Sequence, residues 1–192
     1  MHIAITYDAR AFRTVIAGMD AAAAGAFRTQ VATALNAAGK AAHHAIIAPL
    51  KAQTGLKGGT IPKAVHDQSA SAGSLAYSLV TRGGDISLKY FGAREGGGGV
   101  TAHPRGSTAY FGGAFITSGR KGHRRKSPKL GGHVYRNIDG GRWGGKIEKV
   151  KSGVYIPQEM VRGAVVKAFE GVVASQLDPA VARVMTLIAG RR

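Results

Sequence analysis

Seven side chains able to carry positive charge stand within ten positions of one another: Arg120, Lys121, His123, Arg124, Arg125, Lys126 and Lys129. No acidic residue occurs between Glu95 and Asp139, so nothing close along the chain neutralises them. The chemistry open to such a run is attraction of an anion; the plainer alternative is a solvated basic loop without a ligand. The run lacks aromatics, which argues against the stacking platforms of single-strand binders. Gly122 and Pro128 suit a hairpin tip rather than a recognition helix, so sequence-specific readout is not expected. Arg120, Lys121, Arg124, Arg125, Lys126 and Lys129 are therefore the expected contacts to DNA phosphates or to an acidic partner, made without regard to base sequence.

Other residue types with chemistry are present but poorly arranged for it. His43 and His44 are adjacent, so on a helix they point about 100° apart and cannot share a metal as an i, i+4 pair can. They read as helix-surface or interface residues. His103, His123 and His133 lie in Gly-rich stretches without a cysteine partner, because the chain has no cysteine. That also removes disulfides, a thiolate nucleophile and a thiolate zinc site. Glycines 96–99 follow Arg94 and Glu95, but neither GxxxxGK[ST] nor GxGxxG occurs in a strand-to-helix setting, so they read as a hairpin turn. The ten carboxylates are too scattered for an acid–base pair, and no Ser or Thr stands in a nucleophile-elbow pattern. The expectation is a protein that is not an enzyme, with no cofactor and no metal.

Composition sets the frame for these side chains. The chain has 192 residues, 44% of them apolar, enough for one domain (1–192) with a real core. With only 7% aromatics and 29 glycines, that core must be built from Ala, Val, Ile and Leu, with long loops. Lys and Arg number 27 against 10 Asp and Glu, a net charge of +17. Such an excess favours an anionic partner and repels itself without one. No apolar run reaches the ~18–20 residues of a spanning helix. Asp8, Arg10 and Arg13 interrupt any signal-peptide layout, and neither long helix pairs an apolar face with a Lys-rich one. A soluble, cytosolically assembled protein without membrane contact is expected.

Elements that would position the basic run follow from periodicity. Residues 1–19 form either an arm or, over HIAITY (2–7), a short strand. Asp20 is a plausible N-cap for an Ala-rich helix whose Phe27, Val31, Leu35, Ala38, Ala42 and Ile46 recur at spacings of three and four, one apolar stripe. Pro49 should kink or end it, and Gly55 closes the segment. Thr60 and Pro62 predict a second short helix to about Asp67, making 20–67 helical. SLAYSLVTR (74–82) and DISLKYFG (85–92), divided by Gly83 and Gly84, predict a β-hairpin. GVTAHP, AYF, AFIT and HVYR predict further strands of an antiparallel sheet over 74–156. From Pro157 a helix with Val161, Val165, Ala168 and Val172 on one face restarts, and Asp178-Pro179 opens a last helix ending at Gly190. Helices, then antiparallel sheet with Gly-rich loops and a basic hairpin, then helices over 157–190 give an α+β fold.

Four stretches in that order resemble the minor tail protein Z family, the tail completion proteins of lambda-like long-tailed bacteriophages. KAQTGLKGGTIPKAV (51–65) is similar to the family's basic break between helices, and ISLKYFGARE (86–95) to its apolar-x-F-x-A-R strand. GGAFITS (112–118) resembles its Gly-Ala-Phe-Ile strand before a basic hairpin, although Gly112 stands where Pro is usual. KIEKVKSGVYIPQEM (146–160) is similar to the lead into its terminal helix. The resemblance covers about three quarters of the chain. It implies a structural virion protein of the tail top or neck, assembled in the host cytoplasm, that completes the tail and lets the DNA end enter or pass the channel. It implies a closed homo-oligomeric ring, expected to be a hexamer, between tail-terminator, tail-tube or head-connector proteins. The Ala-rich helix and small-residue strands would supply subunit contacts, through Ala34, Ala41, Ala114 and Phe115. The competing expectation is a nucleoid- or ribosome-associated protein that binds nucleic acid non-specifically; a phage nuclease would need clustered acids that are not there.

Overall fold

Asp20 starts the longest helix as expected, its Oδ1 accepting the Ala23 N–H at 2.7 Å. This helix, α1, spans Ala21–Thr54. The six residues of the predicted stripe are all at most 2% exposed. Pro49 does not end the helix. It costs about 3 kcal/mol inside one. Ile46 and Leu50 on either side are wholly buried, and each such side chain contributes about 1.5–3 kcal/mol. The helix therefore continues through Pro49, and Gly55, at φ +73°, ends it.

The computed structural model describes residues 2–6, 17, 19–57, 59–118, 125–126, 128–139 and 145–189. It has an α+β fold divided into two compact units: residues 1–50, 65–82 and 160–192 in unit 1, and residues 51–64 and 83–159 in unit 2. These units do not follow the helical and sheet blocks of the sequence. Unit 1 contains α1 up to Leu50 and a three-stranded antiparallel sheet of β1 (His2–Thr6), β2 (Val65–Gln68) and β3 (Ala76–Thr81), in the order β1–β3–β2. On β3, Tyr77, Leu79 and Thr81 are buried in alternation. Gly39 of α1 lies so close to the Tyr77 ring that a Cβ there would overlap it. Asn36, three residues earlier, exchanges two hydrogen bonds with the backbone of Ala70 (3.0 and 2.7 Å). Burial, with Asp67 beside it, pushes the Tyr77 hydroxyl far above its usual pKa, so it stays neutral.

Two predictions fail in the stretch after α1. The short helix expected to reach Asp67 is a series of turns followed by strand β2, because Val65–Gln68 bond to β3 through the backbone. The expected hairpin across Gly83 and Gly84 does not form, since β3 is already paired on both edges, by β1 and β2. Residues 88–91 make a 3₁₀ turn instead, which buries both Leu88 and Phe91. Ser87 bridges to Lys151 rather than to β3.

Unit 2 holds two further antiparallel sheets. One joins β4 (Arg94–Gly96), β5 (Gly99–Ala102) and β6 (Ala109–Gly112) in order. The other runs β11–β10–β7, with β7 at Ala114–Phe115, β10 at Tyr135–Asn137 and β11 at Ile147–Lys149. A short pair, β8 (Thr117–Ser118) with β9 (Arg125–Lys126), forms the root of the basic hairpin. Around these lie Leu56, Ile61, Leu88, Phe91, Val100 and Val134, all buried. The unit closes on α2 (Ile156–Met160), whose Glu159 is 1% exposed. Its carboxylate takes hydrogen bonds from Gln53 (3.1 Å) and Arg105 (3.4 Å), and Arg105 also donates to the Gly153 carbonyl at 2.8 Å.

The C-terminal helix expected to run unbroken from Pro157 is interrupted after Met160. Gly163, at φ +63°, resets the chain, and α3 (Gly163–Val172) begins there. Val161 is consequently 40% exposed and leaves the apolar face that Val165 and Phe169 bury. A π-helical turn, Val173–Leu177, joins α3 directly to α4 (Asp178–Ala189). The wider turn stands just before Pro179, which has no N–H to continue the ordinary ladder. The expected end at Gly190 lies outside the described residues.

Candidate nucleic-acid interface

Charge is divided unequally between the units. Unit 2 holds 17 Lys and Arg against five Asp and Glu, a net +12; unit 1 holds ten against five, a net +5. Four of the five acids in unit 2 accept hydrogen bonds within the unit: the exposed Asp139 takes the Lys146 N–H at 2.8 Å, and three others are half-buried or buried. Asp85 accepts the N–H groups of Ser152 (2.8 Å) and Gly153 (3.0 Å) and the Ser152 hydroxyl (3.0 Å). Glu95 Oε2 accepts the Ile116 N–H, the Thr117 N–H and the Thr117 hydroxyl, each at 2.8 Å. Glu159 is the buried partner of Gln53 and Arg105 described above. The acids exposed on unit 2 are therefore Asp139 and Glu148.

Glu95 has a second consequence. Its three bonds fix the chain at Ile116 and Thr117, where β8 enters the basic hairpin, so β4 holds the root of that loop. Thr117 pairs with Lys126 and Ser118 with Arg125, which sets the antiparallel exit through β9. Arg120, Lys121, His123 and Arg124 lie outside the described residues, whereas Arg125 and Lys126 are described as strand backbone. Lys129 is exposed, on a 3₁₀ turn at Pro128–Leu130.

Two lysines that the sequence reading did not single out, Lys89 and Lys149, lie with His133 on the same unit. Lys89 donates to the Gly131 carbonyl at 3.4 Å. His133, two residues on, has its Nδ1 2.6 Å from the Ser87 hydroxyl. Lys149 pairs across the sheet with Tyr135, two residues beyond His133. Burial, and then the charges of Lys149 and Lys89, hold the His133 pKa below its ordinary value. A cavity of about 310 Å³ beside this group is lined by Arg136, Ile138, Glu148, Lys149, Val150 and Lys151. No signal in the local sequence joins the two lysines to His133, because strand register and a turn bring them together from distant positions.

Ser87 and His133 are the closest approach to a nucleophile–base pair among the described residues. The charged groups facing the imidazole are lysines, whereas a catalytic base is oriented by a carboxylate or similar acceptor. His43 instead pairs with Asp67 at 2.6 Å and lies beside the exposed His44 in unit 1. His103 Nδ1 is 3.1 Å from the Thr108 hydroxyl. Among the described residues, no three His, Cys, Asp or Glu side chains gather as metal ligands, and no helix is long and apolar enough to cross a membrane. Of the expected subunit contacts, Ala34 and Ala41 are half-buried on α1. Ala114 is 3% exposed, its methyl taken up by the chain's own packing, and the half-buried Phe115 lies against Tyr135 with ring centroids 6.5 Å apart. Comparison of the chain with protein-family models, with curated proteins and with solved structures found no match.

Proposed function

We propose that the chain is a non-catalytic structural protein of a long-tailed phage neck, of the tail completion type, that forms a closed ring and meets DNA through unit 2. The observation that carries the DNA contact is the net +12 of unit 2, with Asp85 and Glu95 half-buried and Glu159 buried, each held by donors within the unit. A surface of that sign holds a polyanion by its backbone, whatever the base sequence, as a channel that passes a whole genome must. The phage assignment is supported by the four resembling stretches, GGAFITS and the IPQ of residues 156–158 being the most specific. The same charge also fits a nucleoid-like binder, which would be a monomer or dimer.

Negative-stain imaging of the purified protein and of virions separates the two. Closed rings of one diameter are expected, and particles that stay monomeric or dimeric at all concentrations would overturn the neck reading. Ala34 and Ala41 provide a matching variant test. Each is half-buried in the single chain, so Ala34→Leu or Ala41→Leu is expected to weaken the ring more than the monomer fold. Overpacking a close contact typically costs ~1–3 kcal/mol. Sedimentation velocity should then show intact monomers. Variants that unfold as monomers, or that assemble like the parent, would remove these residues from the interface.

A further inference from the structure

We propose, resting on the nucleic-acid reading above, that Lys89, His133 and Lys149 form a phosphate site on unit 2, separate from the basic hairpin, which takes a backbone phosphate of duplex DNA. Three elements build it. The 3₁₀ turn at 88–91 supplies Lys89, anchored near the His133 loop by its contact with the Gly131 carbonyl. The loop before β10 supplies His133, and the edge strand β11 supplies Lys149, which is exposed. The Ser87 hydroxyl, 2.6 Å from Nδ1, fixes the imidazole. With Ser87 donating to Nδ1, the neutral ring carries its proton on Nε2 and offers a hydrogen-bond donor there. The Lys89 ammonium, which also lies 5.0 Å over the Tyr90 ring, and Lys149, which stands on β11 opposite Tyr135, are the charges that act on the imidazole, and the nearest carboxylate of the adjoining cavity is Glu148. Two ammonium groups and one N–H donor suit a phosphate oxygen and would repel a metal cation.

The chemistry of the histidine makes the site distinguishable from general surface charge. The charged groups that face it are Lys89 from the turn and Lys149 from β11, and together with burial they keep it neutral near pH 7. A phosphate bound between the lysines cancels their field and favours the imidazolium, so binding takes up a proton. The bound-state pKa then lies above the free-state one. Affinity rises as pH falls through the bound-state value and levels off below the free-state value.

The experiment follows the His133 ε1 proton by NMR in the full chain between pH ~5 and ~8, with no ligand, with inorganic phosphate and with a short duplex of arbitrary sequence. The duplex is expected to raise the His133 midpoint by about one unit, equivalent to about tenfold tighter binding at the acid end. Lys149→Gln should remove most of that rise while the Ser87–His133 contact persists. Should the duplex bind with the His133 midpoint unmoved, the site is overturned and the nucleic-acid reading survives. A rise with inorganic phosphate alone would assign the site to free phosphate and overturn the DNA contact. Should the duplex fail to bind at all, both fall together.

Discussion

Replacing Gly39 by Ala is expected to destabilise unit 1, although the same replacement at Gly25, on the same helix, should stabilise it. Alanine is favoured over glycine inside a helix by about 0.8–1.0 kcal/mol, and at Gly25 nothing lies within 4 Å of where the Cβ would be. At Gly39 the new Cβ would overlap Cδ1, Cε1 and Cγ of the Tyr77 ring. That ring has no room to withdraw, because Tyr77 is 0% exposed on β3, the central strand of its sheet. Overpacking of this kind costs ~1–3 kcal/mol and occasionally more, and here the intruding atom meets a ring rather than a flexible chain end. The overlap should outweigh the propensity gain by ~1–2 kcal/mol for Ala, and by more than 3 kcal/mol for Gly39→Leu, roughly 6–12 °C in midpoint. Thermal unfolding of both single variants, with Gly39→Ala/Tyr77→Leu as the double, provides the check. The double should recover most of the loss, as expected of residues in contact. A Gly39→Ala protein as stable as Gly25→Ala would contradict the packing of α1 on β3.

That contact was only half legible in the sequence. The stripe from Phe27 to Ile46 could be read because a 3.6-residue period repeated over more than five turns admits no other element, and every member is buried. Nothing in the residues around Gly39 sets it apart, since what makes it necessary is a ring nearly forty residues further along. Strand β2 left no signal either: Val65 is its one buried residue, and its pairing with β3 is made by backbone groups that any sequence has. The segment DISLKYFG alternates well enough for a strand, but Leu88 and Phe91 are three residues apart and both need burial. A turn closed by Gly92 at φ +70° meets that need and an extended strand does not.

The basic run was legible as composition, and the charge distribution over unit 2 was not. What the sequence hid was the fate of the acids. Asp85, Glu95 and Glu159 count against the charge of unit 2 in a tally, yet each is directed at backbone or side-chain donors within the unit. Lys89 and Lys149, and their company with His133, were hidden for the complementary reason. Each is ordinary in its own neighbourhood, and only the β10–β11 register and the turn at 88–91 make them one group.

Unit 2 as a phosphate-contacting surface is the claim on which the rest depends, and the Arg124, Arg125 and Lys126 side chains carry the largest effect on it. Changing all three to Ser should leave the fold nearly intact. The β8–β9 pairing at Thr117–Lys126 and Ser118–Arg125 uses backbone groups that serine retains, so a change of about ±0.5 kcal/mol for each is expected. Each duplex phosphate contact contributes a slope of roughly −0.9 to log affinity against log salt, so three lost contacts flatten the slope by ~2.7. At ~0.1 M salt that corresponds to a loss of two to three orders of magnitude in affinity, most of it recovered by difference as salt approaches ~1 M. The decisive measurement is this slope, for parent and triple variant, on duplexes of unrelated sequence. The account predicts a steep parent slope independent of sequence and a variant slope shallower by about 2–3. A parent whose duplex affinity is insensitive to salt, or a variant with the parent's slope, would contradict it.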